Sequence, residues 1–70
     1  MNKKDTSDPD KEEIDRLYPT LLKVDGSFEM ESGLLAGKGI CTRRKLTPRG
    51  GVLFTILFTN GTIKEWEWFD

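Results

Sequence analysis

The stretch Val52-Leu53-Phe54-Thr55-Ile56-Leu57-Phe58 constrains this chain more than any other. It holds seven residues of high β propensity, with no charge and no proline, and it is apolar at both phases of the two-residue alternation that a strand presents. At the rim of an open sheet such a segment would be an aggregation hazard. It is therefore expected to be an inner strand, paired on both sides and with both faces at least partly covered. Asn60-Gly61 follows, then Thr62-Ile63-Lys64-Glu65-Trp66-Glu67-Trp68-Phe69. Asn-Gly reads as a two-residue type I′ turn. With that loop Thr59 faces Thr62, Phe58 faces Ile63 and Thr55 faces Trp66. One face of the hairpin then carries Phe54, Ile56, Phe58, Ile63, Glu65, Glu67 and Phe69, and the other carries Leu53, Thr55, Leu57, Lys64, Trp66 and Trp68.

The rest of the chain offers shorter elements. From residue 1 to 13 the only apolar side chain is Met1, so residues 1–8 are expected to form a disordered tail. Residues 9–70 then make one small β-rich domain. Asp8-Pro9 suggests a capped helix start, Asp10, Glu12 and Glu13 suit its first turn, and Ile14, Leu17 and Tyr18 form one apolar stripe before Pro19 stops it. A helix over about 9–18 is expected. Asp25-Gly26 lies between two short runs and reads as a second hairpin, and Gly33, Gly37 and Gly39 punctuate a flexible connection. Strands are expected at about 20–24, 27–31, 40–46, 52–59 and 62–69. Five short strands favour a mainly β fold, either a small curled antiparallel sheet or a barrel that is SH3-like in architecture alone.

Composition narrows function by exclusion. The chain has 70 residues, no histidine and one cysteine. The usual general base, a Cys-His nucleophile and an internal disulfide are all absent. No metal site or cofactor motif is present. Gly33-Leu34-Leu35-Ala36-Gly37-Lys38-Gly39 falls one residue short of a phosphate loop and lacks its Ser or Thr. Cys41, between Ile40 and Thr42, reads as a small buried hydrophobe. Glu65 and Glu67 share a face but have no nucleophile beside them. No apolar run approaches the roughly 20 residues of a membrane helix. Met1–Asp5 lacks the apolar stretch of a secretory leader, so a cytoplasmic setting is expected.

Charge and aromatic content carry the positive signal. Residues 1–31 hold five basic and nine acidic side chains, a net of −4, whereas residues 32–70 hold six basic and three acidic, a net of +3. Two tryptophans and a phenylalanine close the chain. The reading is a small non-enzymatic module that docks on a protein partner through Trp66, Trp68 and Phe69. The alternative is a nucleic-acid-binding barrel that uses Arg43, Arg44, Lys45 and Arg49 as a basic patch. The two-faced apolarity of residues 52–58 also favours a homodimer.

Overall fold

The computed structural model describes residues 8–70. One helix, α1 (Lys11–Leu17), precedes four strands: β1 (Ser27–Met30), β2 (Gly37–Leu46), β3 (Val52–Phe58) and β4 (Ile63–Trp68). The strands form a single antiparallel meander in the order β1-β2-β3-β4. β3 is inner and paired on both sides, as its uncharged sequence demands. Val52, Phe54, Ile56 and Phe58 are buried on one face, and with Ile14 and Cys41 they form the core. Tyr18, Leu21, Leu22, Phe28, Leu35, Leu46, Trp66 and Trp68 pack around it.

The sheet curls but does not close. Phe28 on β1 and Trp66 on β4 approach to 6.4 Å between ring centroids across the core face, although β2 and β3 lie between them in the sheet. No hydrogen-bonded pairing of β1 with β4 is formed, so the structure is a curled, unclosed four-stranded sheet rather than the expected five-stranded barrel, with a seam between β1 and β4.

The fifth expected strand, 20–24, is a run of turns. Leu21 N–H bonds Tyr18 O at 3.1 Å, and Gly26 N–H bonds Lys23 O at 2.8 Å with Asp25 at φ 71°. The Leu22 carbonyl, which a strand neighbour would need, accepts instead from the Arg44 guanidinium at 3.0 Å. Asp25-Gly26 is thus a turn, but its second arm pairs with β2: Asp25 N–H reaches Cys41 O at 2.7 Å and Cys41 N–H reaches Gly26 O at 3.0 Å.

Two one-residue offsets correct the expected faces. After β3 the loop has three residues, not two. Phe58 N–H bonds Thr62 O, Gly61 N–H bonds Phe58 O, and Asn60 Oδ1 accepts from Thr62 N–H at 2.9 Å. Gly61 sits at φ 90° while Asn60 stays at negative φ, the signature of a type I turn ending in a glycine bulge. The pairs become Leu57↔Ile63, Thr55↔Glu65, Phe54↔Trp66 and Val52↔Trp68. A slip of one residue moves every side chain to the opposite face, so both tryptophans join the core side and both glutamates leave it. In β2 a bulge between Cys41 and Arg43 does the same, turning Arg44 inward and Arg43 outward.

β2 also begins earlier than its apolar residues suggest, because Gly37–Gly39 pair with β1. At Gly39 a Cβ would stand 2.5 Å from Leu57 O, so only glycine lets the strands close there.

α1 is shorter than 9–18, and its acidic start is engaged elsewhere. Asp10 is the N-cap but makes no side-chain cap bond; its Oδ2 accepts from Leu46 N–H at 2.8 Å. Asp8, expected in the tail, is buried and bonds Arg44. The remaining expected tail, residues 1–7, lies outside the described residues.

Candidate functional site

The four cations of the expected basic patch separate. Arg44 has none of its side chain exposed. Its Nε donates to Asp8 Oδ1 at 2.8 Å, one terminal nitrogen to Leu22 O at 3.0 Å and the other to Asp15 Oδ1 at 2.8 Å. Burial works against its charge, but the hydrogen bonds it donates to Asp8 and Asp15 outweigh it and hold its pKa above the ordinary value. Arg44 therefore fastens α1 and the 18–24 turns to β2 and is sealed from any phosphate. Arg43 and Lys45 emerge on the outer face of the sheet. Arg49, in the β2–β3 turn, lies 3.4 Å from Glu67 and 5.4 Å from the centroid of Phe69. A continuous cationic track is not assembled.

The aromatic residues divide too. Trp66 stacks on Phe54 with centroids 5.7 Å apart, and Trp68 meets Tyr18 edge-on at 4.9 Å. Both are half-buried on the core side of β4. Phe69 continues past the strand, exposed, beneath Arg49 and away from the two indoles.

Each tryptophan nevertheless walls an open hollow. Trp66, Glu65, Met30, Leu34 and Leu35 surround one of about 340 Å³, in the seam between β1 and β4. Trp68, Tyr18, Leu17, Leu21 and Asp70 border another of about 380 Å³, beside the end of α1. Between them runs the outer edge of β4, which has no strand partner among the described residues. Antiparallel pairing alternates, and since Phe58 bonds Thr62, residues 64, 66 and 68 turn their backbone groups to β3. The N–H and C=O groups of Ile63, Glu65 and Glu67 face the open edge. The Lys64 ammonium reaches across the seam to Leu34 O at 2.8 Å.

Met30, Leu34 and Leu35 were not expected to contribute. Leu34 is 91% exposed. Two adjacent leucines beside Ser32-Gly33, in a stretch otherwise read as a connection, are the sequence signal for this wall.

Chemistry of other kinds finds little support. Among the described residues no group of three His, Cys, Asp or Glu side chains is placed to hold a metal ion. Cys41 is buried, and desolvation pushes its thiol pKa up, against a smaller opposing effect of the Arg43 backbone. No described helix is long and apolar enough to cross a membrane. Comparison with known proteins returns no match: no family model, no curated protein and no solved structure aligns with this chain.

Proposed function

We propose that this chain is a binding module rather than an enzyme, and that it takes an extended segment of a protein partner along the open edge of β4. The supporting observation is the coincidence, on one strand, of a backbone edge that no described residue pairs and two tryptophans that each wall a separate hollow. Strand addition of this kind draws affinity from main-chain hydrogen bonds and specificity from alternate side chains. Trp66 and Trp68 are two residues apart, roughly 7 Å along a strand, which is the repeat of side chains on one face of an incoming strand. The favoured segment has apolar residues at alternate positions. Glu65 at the first hollow and Asp70 at the second favour lysine or arginine beside them. Charged Lys64, Glu65 and Glu67 keep the edge from pairing indiscriminately.

The test is a display library of random eight-residue peptides between flanking lysines. Glu65→Pro removes a donor that faces the open edge and breaks no bond to β3, a position where proline is tolerated. Wild type is expected to enrich alternating peptides, and Glu65→Pro, with an unchanged urea midpoint, to bind them at least about tenfold more weakly. Equal binding by Glu65→Pro, or a library that yields no alternating sequence, overturns the proposal.

A further inference from the structure

The outer face of the sheet is covered among the described residues only where Arg49 reaches over Glu67, and its side chains follow a simple order. Three rows cross β2, β3 and β4 in register: Ile40–Leu57–Ile63, Arg43–Thr55–Glu65 and Lys45–Leu53–Glu67. The first row is apolar and open, with Ile40 47%, Leu57 40% and Ile63 64% exposed. In the other two rows the cation is always on β2 and the anion always on β4, with an uncharged residue on β3 between them. Lys38, the remaining cation of β2 on this face, is paired in register with Glu29 of β1. Glu67 has one oxygen on Arg49, and the other is shut off from solvent with no hydrogen-bond partner among the described residues.

A pattern that is neutral along its middle and opposite in sign at its two sides is complementary to itself under one rotation. Turning a second copy by half a circle about an axis along β3, and laying its outer face on the first, keeps the rows level and exchanges β2 with β4. Arg43 then faces Glu65 of the partner copy and Lys45 faces its Glu67. Ile40 meets Ile63 of the partner copy, and Leu57 meets its own equivalent on the axis. Strands of the two sheets run in nearly the same direction, the aligned mode of sheet packing. The other in-plane axis, across the strands, sets β2 on β2 and β4 on β4, like charge on like. We propose that the outer face is a homodimer interface with its two-fold axis along β3.

Size sets the strength. The three strands that overlap under this rotation, spaced about 4.8 Å apart and about seven residues long at 3.3 Å, give a face of roughly 330 Å² per copy, or about 670 Å² for two. That is well below the roughly 1,200 Å² of standard specific interfaces, so the dimer is expected to be weak and transient, with dissociation on the order of 100 µM. The packing leaves the β4 edge open, so this inference stands apart from peptide binding there.

Sedimentation equilibrium of the full chain from about 1 µM to 1 mM tests it. A species of twice the 8.0 kDa chain mass is expected to grow with concentration. Arg43→Glu and Glu65→Lys are exposed single reversals, and within one copy the two side chains stand about 10 Å apart, two strand spacings. Each reversal spoils two symmetry-related contacts and is expected to weaken the dimer about tenfold. The double variant restores both pairs and is expected to return within about threefold of wild type. A monomer at every concentration overturns the inference. So does a double variant weaker than either single one, or a dimer abolished by Glu65→Pro and indifferent to both reversals, which would mean edge-to-edge pairing through β4.

Discussion

Arg44→Met is predicted to unfold much of this protein at room temperature. Methionine has similar reach but no donor, and the three acceptors around the guanidinium differ in what they can do without it. The Asp8 side chain is 6% exposed and keeps a charge that water cannot solvate; Asp15 is 27% exposed and can be rehydrated. Removing one partner of a buried ion pair typically costs about 3–5 kcal/mol, because the other charge is stranded. At about 0.05–0.15 kcal/mol per residue, the 63 residues described here have a total stability of about 3–9 kcal/mol. The loss is therefore comparable with the whole. Asp8→Ala removes one charged hydrogen bond and should cost about 1.5–3 kcal/mol, and Asp15→Ala, on the wet side of the network, should cost less.

Urea unfolding at pH 7, followed by the emission of Trp66 and Trp68, reads the series directly. The expected order of loss is Arg44→Met, then Asp8→Ala, then Asp15→Ala. The double variant Asp8→Leu with Arg44→Met, which strands no charge at Asp8, is expected to be more stable than Arg44→Met alone. An Arg44→Met midpoint corresponding to less than about 1 kcal/mol of loss would refute the assignment of this network as the tie between α1 and the sheet. Equal losses for Asp8→Ala and Asp15→Ala would refute the role given to burial.

Two further predictions concern Asp15 and Gly51. The Asp15 carboxyl is held far below the ordinary carboxylate range by its hydrogen bond from Lys11, then by those from Arg44 and Lys23. A depressed carboxylate stabilises fully above its unfolded pKa of about 3.9 and loses that contribution as pH falls toward the folded value, so urea midpoints should drop below about pH 4, and less steeply in Asp15→Asn. Gly51→Ala would put a Cβ 2.5 Å from Trp68 O and 3.0 Å from the Phe69 ring, forcing β4 from the β2–β3 turn at a cost of about 1–3 kcal/mol, checked by the shift in thermal midpoint.

Legibility in the sequence stopped where local periodicity stopped. Val52–Phe58 announced an inner strand because apolarity at both phases has few other homes in a sheet protein, and that strand is paired on both sides. α1 was visible from its stripe, but its boundaries were not, since Asp8 and Asp10 read as helix caps and are taken up by Arg44 and the Leu46 amide. Leu21-Leu22-Lys23-Val24 looked like a strand because its leucines do reach the core. What separates a strand from a series of turns there is the fate of one carbonyl, Leu22 O, and that depends on a residue 22 positions later. The seam hollow was invisible for the same reason: Met30, Leu34 and Trp66 meet only because the sheet curls.

The site was missed by two single-residue insertions, and these also explain why its charges lie where they do. Without the bulge at Thr42, strict alternation would keep Cys41 and Arg43 on the inner face and send Arg44 outward. With it, Arg44 becomes the buried tie, and Arg43 joins Lys45 on the outside. Without the extra loop residue before Thr62, Glu65 and Glu67 would lie inside beside Phe54 and Ile56, two uncompensated carboxylates against the core. With it, the indoles replace them, and the glutamates stand level with Arg43 and Lys45. Each offset alone leaves a charge buried without a partner, or an indole exposed. Together they satisfy the core and sort the outer face into a cationic strand and an anionic strand, so the antisymmetry that suits a second copy arises from the same two bulges that bury Arg44 and both tryptophans.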